Sequence, residues 1–249
     1  MIYFSEEERT DKENRIRSYP DCVKRWYYST VTIHDRYNNV LAPLIGPKTM
    51  LLDAGCGKKG IMNLYMCENK LSVGTDISLQ AMKENRSMDC YVVSNLESIP
   101  FKSETFDVII SAWVVEHMKE TKRILEGFNR VLKKGGSLIL VTNSLYHPMM
   151  FLSFLFPERL RDAIKKRIFP SQFDEDTFPT YYRLNTLKKM NATLKHTGFF
   201  KIHVDYAGDP SVYLFFRRFF PLALIYERVT DVRWLRFLKM HIVVHYIKR

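Results

Sequence analysis

Gly55, Gly57 and Gly60 of the stretch LLDAGCGKKG (residues 51–60) stand at the G-x-G-x-x-G spacing of a turn that brings backbone amides up to a pyrophosphate. Asp53 stands two residues before the first of them, at the end of an apolar run. A pyrophosphate wants backbone N–H groups and the positive end of a helix, with no fixed anion beside them. Asp53 would repel such a ligand and would suit one that carries an ammonium or a sulfonium. Asp76 lies 21 residues beyond Gly55, where a carboxylate can accept from two ribose hydroxyls. Dinucleotides and other nucleosides both require that acid, so it points to a nucleoside without saying which. His117 and His147 each follow an apolar, strand-like run. A histidine there can act as general base when the acceptor of a transferred group must lose a proton, or can simply pack beside a helix. Tyr27, Tyr28 and His34 fall in an N-terminal helical pattern, and packing in a lid is their plainer reading.

These residues need a frame that sets them along one edge. Apolar, β-branched runs predict strands at 49–54, 71–75, 90–93, 106–111 and 136–142, with helical patterns between most of them, as at 78–86 and 119–132. Such alternation predicts an α/β fold, a doubly wound, mostly parallel sheet whose ligands sit at the carboxyl ends of the strands. The helix 119–132 ends in LKKGG, a cationic last turn with glycine past it, which predicts a stop there. After 142 the rhythm changes. Residues 145–170 are apolar and then basic, too long for a link, and the acidic 174–176 reads as a surface loop. Thr186 can cap a helix over 187–196 that stops at Gly198, and 199–207 and 239–248 bring the strands to seven. No internal repeat or low-complexity tract interrupts the order. A single domain results, with a helical lid at 1–48, a cofactor-binding core at 49–143, a helical cover at 144–185 and the last strands at 186–249.

With 249 residues, 46% apolar and 14% aromatic, the chain can bury one sizeable α/β core and is not of a disordered class. The N-terminus is charged where a secretory signal would be apolar, and the four cysteines show no C-x-x-C spacing. Free thiols in a cytoplasmic setting, and no metal site, are the expectation. Charge is uneven: residues 1–150 hold 20 Lys+Arg against 18 Asp+Glu, and residues 151–249 hold 18 against 9. The basic excess lies in the last two fifths of the chain.

Four blocks extend the pattern beyond single residues: LLDAGCG (51–57), GTDIS (74–78), NLESIPFKSETFDVIISAWVVEHM (95–118) and VLKKGGSLILVTN (131–143). In this order and spacing the chain resembles the class I S-adenosylmethionine-dependent methyltransferases of the type 11 group. The resemblance spans roughly 49–143 and fades outside it, apart from 181–199. It implies a seven-stranded Rossmann-like methyltransferase sheet with 239–247 between strands five and six, and S-adenosylmethionine as cofactor. It further implies that Asp53 holds the ligand's amino group and that Gly55 and Gly57 let the backbone approach its methionine part. Asp76 would grip the ribose, Ile77 and Leu96 would flank the adenine, and Asn95 would accept from its amine where relatives carry aspartate. Ser111 and Ala112 would line the methyl donor. The chain departs from the pattern in having Lys59 where relatives carry a further glycine, which comes one residue later at Gly60. It also has Trp113 at the first position of the Glu-x-x-Glu-His set with which some relatives hold a metal, so no divalent metal is expected. The Pro-Pro-Tyr motif of amino-group methylation on bases is absent.

The acceptor is written less clearly. The segment 211–239 interleaves Phe215, Phe216, Phe219 and Phe220 with Arg217, Arg218, Arg228, Arg233 and Arg236, and 149–167 is similar in kind. Their apolar runs are shorter than about 18 residues, so neither spans a membrane. They suit an anionic membrane surface or an amphiphilic acceptor, or else a lid or a contact in a homo-oligomer. The expected activity is methyl transfer to oxygen of a small, lipidic or glycan-linked acceptor. RNA methylation and a non-catalytic nucleoside-binding subunit are the alternatives, and nucleic acid is the less favoured partner because no RNA-binding module is recognised.

Overall fold

The computed structural model describes residues 16–58, 71–157, 159–161, 163, 178–215 and 218–249. Seven strands form: β1 (Met50–Ala54), β2 (Leu71–Asp76), β3 (Cys90–Val93), β4 (Phe106–Ala112), β5 (Leu132–Asn143), β6 (Phe199–Ala207) and β7 (His241–Lys248). They make one sheet in the order β3-β2-β1-β4-β5-β7-β6, with β7 between β5 and β6 as the resemblance implied. Parallel pairing joins β1 to both β2 and β4, β2 to β3, and β4 to β5. Strands covered on both faces read as near-continuous apolar runs, and LLDA of β1 and VIIS within β4 are buried in that way. The chain runs outward from β1 through β2 to β3, then crosses back to β4 on the other side of β1. The carboxyl ends of β1 and β4 are therefore neighbours at the point where the strand order reverses, the place where open α/β sheets hold ligands.

The described α-helices are α1 (Asp21–Tyr28), α2 (Ile33–Leu41), α3 (Leu79–Glu84), α4 (Thr121–Val131), α5 (Pro148–Leu155), α6 (Leu187–His196) and α7 (Phe220–Val229). In α4 the residues Ile124, Leu125, Phe128 and Val131 make one buried stripe at helical spacing. Thr186 caps α6 by accepting from the Lys189 amide, and Gly198 at φ +83° follows its end, both as expected.

The stop of α4 differs from the expectation. The helix ends at Val131, and Leu132 is already extended and paired with Phe106 as the first residue of β5. Gly135 and Gly136 belong to an irregularity in β5, where the register moves from Phe106↔Leu132 to Val108↔Ser137. Gly135 adopts φ +72° there, and a Cβ on Gly136 would lie 2.8 Å from the Lys133 carbonyl oxygen. The glycines are needed for a bulge in the strand rather than for a helix cap, because pairing with β4 satisfies the backbone that a last helical turn would have used.

Packing divides the chain into two compact units, each assembled from three segments. The larger unit joins Tyr37–Asn143, Phe178–Asp205 and Ile242–Arg249 and holds nearly all of the sheet. The smaller unit takes its described residues from Met1–Arg36, Ser144–Thr177 and Tyr206–His241. Its core is Ile16, Leu214, Phe220 and Leu224, with Tyr19, Val23, Tyr27 and Tyr213 packed against them. The Lys239 ammonium is buried there, 2.9 Å from Glu227 and 3.0 Å from Asp231. Most of the expected cover beyond α5, including the acidic 174–176, lies outside the described residues, as does Cys67. Cys22, Cys56 and Cys90 are free thiols.

Candidate active site

The glycine turn follows β1 directly. Gly55 takes φ +84° and Gly57 φ +51°, a left-handed region that favours glycine. A Cβ on Gly55 would also overlap the Val114 side chain, so the close approach of the turns after β1 and β4 is a second reason for glycine. The amides of Gly55 and Cys56 both donate to the Thr75 carbonyl, at 2.7 and 3.1 Å. The Gly57 amide donates to Asp76 Oδ2 at 2.9 Å. Three consecutive N–H groups are thus engaged inside the protein, which leaves them unavailable to cradle a pyrophosphate. The position of Lys59 and Gly60 lies outside the described residues.

Asn85 holds the same turn from the other side. Its Nδ2 donates to the carbonyls of Cys56 and Gly57, at 3.1 and 2.9 Å, while its Oδ1 accepts from Ser87 and Tyr91. The sequence reading did not include Asn85. It lies 29 positions from Cys56, just past α3, and no motif marks it.

Two carboxylates face this turn with different surroundings. Asp76, at the end of β2, accepts from Gly57 on one oxygen and from the Ser78 amide at 2.9 Å on the other. One bond per oxygen fixes the carboxylate's orientation and leaves each oxygen room to accept from a hydroxyl. Ile77 beside it is exposed and apolar. Asp53 is buried within β1, and burial pushes its carboxyl up to about 7, with the Asp76 charge adding to the effect. A buried acid in that condition favours a cationic neighbour. The same two charges, after burial, hold the Cys56 thiol well above its ordinary range.

Asn95 is exposed past β3. Its Oδ1 accepts from the Glu97 amide at 2.9 Å and caps the short turn Leu96–Ser98, which leaves one lone pair and the amide NH₂ for a ligand. Leu96 and Ala112 are half-buried. Ser111 is fully buried, and its hydroxyl donates to the Ala54 carbonyl at 2.9 Å, which ties β4 to β1.

After β4, Trp113 stands at φ +55° with its amide on the Val141 carbonyl at 2.8 Å. A non-glycine residue in that region costs about 1–2 kcal/mol, and such strain gathers at functional turns. Glu116 follows, buried, and accepts from the Thr142 hydroxyl at 2.7 Å, so the turn after β4 is anchored to the end of β5. The Glu116 carbonyl accepts from the amides of Tyr181 and Tyr182. That second contact places Pro179, whose carbonyl lies 3.0 Å from His117 Nδ1. The Phe178 ring meets His117 edge-on.

His147 is in the smaller unit. It precedes α5, is 1% exposed, and its Nε2 lies 2.7 Å from the Tyr213 hydroxyl. The Tyr226 ring closes on it edge-on. Burial, then the charges of His241 and Lys239, lower its pKa to about 4. Tyr213 and Tyr226 wall this ring in.

A parallel sheet with two acids at the reversal point, one fixed for hydroxyls and one seeking a cation, defines a nucleoside-binding protein of the doubly wound class. A family model described as a methyltransferase domain matches residues 52–140. An uncharacterized protein of Methanocaldococcus jannaschii is 31% identical over 190 residues, covering 74% of this chain and 72% of that protein. A malonyl-[acyl-carrier protein] O-methyltransferase of Erwinia pyrifoliae is 30% identical over 100 residues, covering 39% of this chain and 38% of that one. Among solved structures, an S-adenosylmethionine dependent methyltransferase from Mesorhizobium loti matches with a TM-score of 0.57 at 15% identity, over 86% of this chain and 97% of that one. The chain belongs to the class I S-adenosylmethionine-dependent methyltransferases of the type 11 group, and S-adenosylmethionine is its cofactor. The residues present fit that cofactor: Asp53 is a buried acid in want of a cation, and the amides of the turn are engaged where a phosphate would need them.

Proposed function

We propose that the protein methylates an oxygen of a small acceptor, lipidic or glycan-linked, with His117 as the group that takes the proton. The observation that carries this reading is the orientation of His117. A ring nitrogen facing the Pro179 carbonyl at 3.0 Å carries the hydrogen, so in the neutral ring the lone pair is on Nε2. A held, proton-accepting imidazole past the carboxyl end of β4 suits an acceptor that enters as a hydroxyl; an acceptor that is already a free base would need none.

Bound S-adenosylmethionine supplies a methyl group on a sulfonium, ready for in-line displacement. In this reading Asp53 neutralises the ligand's ammonium, and the bare Cα atoms of Gly55 and Gly57 let its methionine part lie against the backbone. Asp76 accepts from the two ribose hydroxyls, Ile77 and Leu96 flank the adenine, and Asn95 uses its remaining lone pair for the adenine amine. Ala112 borders the methyl group, while Ser111 only steadies the strand beneath it. Support for an acceptor on a long chain comes from the names of similar proteins, among them the malonyl-[acyl-carrier protein] O-methyltransferase above and a human ubiquinone biosynthesis O-methyltransferase, 30% identical over 136 residues.

Labelled methyl from S-adenosylmethionine should pass into the organic-soluble fraction of a lipid extract, and His117→Gln should slow that transfer by about 10²–10⁴-fold. The variant should bind S-adenosylhomocysteine as the wild type does. Label entering RNA instead, or a His117→Gln enzyme at full rate, would defeat this reading.

A further inference from the structure

We propose that the smaller unit docks on an anionic lipid leaflet through the outward faces of α7 and α5. In α7 the residues Phe220, Ala223, Leu224 and Glu227 are buried. The opposite face carries Leu222, Ile225 and Val229, at i, i+3 and i+7, which are 60%, 48% and 50% exposed. A surface helix ordinarily turns a polar face to water, and α7 turns an apolar one. In α5, PMMFLSFL has no charged residue and buries none of its side chains, and Phe151, Leu152 and Leu155 are more than half exposed. Tyr146 before α5 and Phe237 after α7 meet edge-on at 5.7 Å, both exposed, so the segments that flank the two helices are in apolar contact. Trp234 is 72% exposed. Most of the exposed large apolar side chains among the described residues belong to this unit.

Charge selects the occupant. Between residues 218 and 239 the acids are Glu227 and Asp231, and Lys239 pairs with both. Arg218, Arg228, Arg233 and Arg236 remain over, so the rim of the apolar face is cationic. A second copy of the chain would set these arginines against each other, whereas an anionic leaflet complements them and takes the apolar face and the tryptophan at its boundary. Among the described residues no helix is long and apolar enough to cross a membrane, so the contact lies on the surface. Of the four phenylalanines singled out in the sequence, Phe220 is buried in the unit's core and Phe219 is exposed, while Phe216 with Arg217 and the Phe215 side chain lie outside the described residues.

The test is sedimentation of the full chain with phosphatidylcholine vesicles and with phosphatidylcholine–phosphatidylglycerol vesicles, without cofactor. Binding is expected on the anionic vesicles at low salt and should weaken as salt rises. Leu222→Ser with Ile225→Ser should lower the partition at least about tenfold on both vesicle types. Arg233→Glu with Arg236→Glu should lower it about 25-fold or more on the anionic vesicles, about fivefold for each cation lost. Because Trp234 is largely exposed, Trp234→Phe leaves the fold intact, and quenching of tryptophan fluorescence by brominated lipid should be present in the wild type and much reduced in that variant. A wild type left in the supernatant overturns the proposal. So does a serine pair that binds as the wild type, or a dimer that the serine pair dissociates, or RNA binding that excludes vesicles. No methyl donor is present in this test, so failure here leaves the methyl-transfer reading to the His117→Gln experiment.

Discussion

Asp53 carries the pH dependence of the cofactor site. Its carboxyl is raised to about 7 from an ordinary 3.8, first by burial and then by Asp76. For an acid raised in this way, the stabilising contribution to the free protein is complete below the ordinary value and is lost as the pH rises through about 7. A cationic ligand reverses the preference, since it binds the ionised form and displaces the proton. The affinity for S-adenosylmethionine is therefore expected to fall about tenfold per pH unit below about pH 7 and to level off above it. Calorimetry in buffers of different ionisation enthalpy should record proton release on binding. Asp53→Asn should flatten the profile, and an unchanged slope in that variant would assign the titration to another group. Asp53, Gly55, Gly57 and Asp76 could be singled out in the sequence because each sits at a fixed short offset from a strand end.

At the scale of elements, the glycine turn is held between β2 and α3 rather than by its own sequence. Thr75 takes two of its amides, Asp76 a third, and Asn85 donates to two of its carbonyls. Asn85→Ala leaves those carbonyls without their donor at a buried position, and the expected cost is about 1–3 kcal/mol of stability. Cofactor affinity should drop by about tenfold, the equivalent of roughly 1.4 kcal/mol if the turn loosens before binding. Thermal unfolding and titration with S-adenosylhomocysteine check the two effects separately, and an Asn85→Ala protein that binds normally would show that Thr75 and Asp76 suffice. The end of α4 makes the same point about legibility. Lys-Lys-Gly-Gly after a helical stripe has the local signature of a stop, yet β4 offered Leu132 a partner first, and the glycines serve a bulge.

At the scale of the whole molecule, the smaller unit holds a buried ion pair between the segment before β7 and α7. Lys239 precedes β7 and reaches back to Glu227 on α7. Burial raises the Glu227 carboxyl and Lys239 draws it down again. Lys239→Met would leave that carboxylate buried without its cation, a loss of about 3–5 kcal/mol. The deficit should shrink as the pH falls, because a raised carboxyl takes up a proton and ceases to be a buried charge. Lys239→Met combined with Glu227→Gln should recover part of the loss. Denaturant unfolding at neutral and at acid pH measures both, and an equal deficit at the two would mean that packing, not charge, holds the contact.

The amino-acid sequence by itself determined the strands, most of the helix bounds and the methyltransferase family, because periodicity and short offsets are local and survive in one dimension. Tertiary structure alone set the surroundings of the two histidines. Both follow strands at the right distance, but His117 is turned by a carbonyl 62 positions away, and His147 is closed in by a tyrosine 66 positions away. It also decided that Phe220 is core while Leu222, Ile225 and Val229 face outward, and that Asn85 holds a turn it never neighbours in the chain. Burial and hydrogen-bond partnership are set by which distant segment arrives beside a residue, and neither residue type nor spacing carries that information.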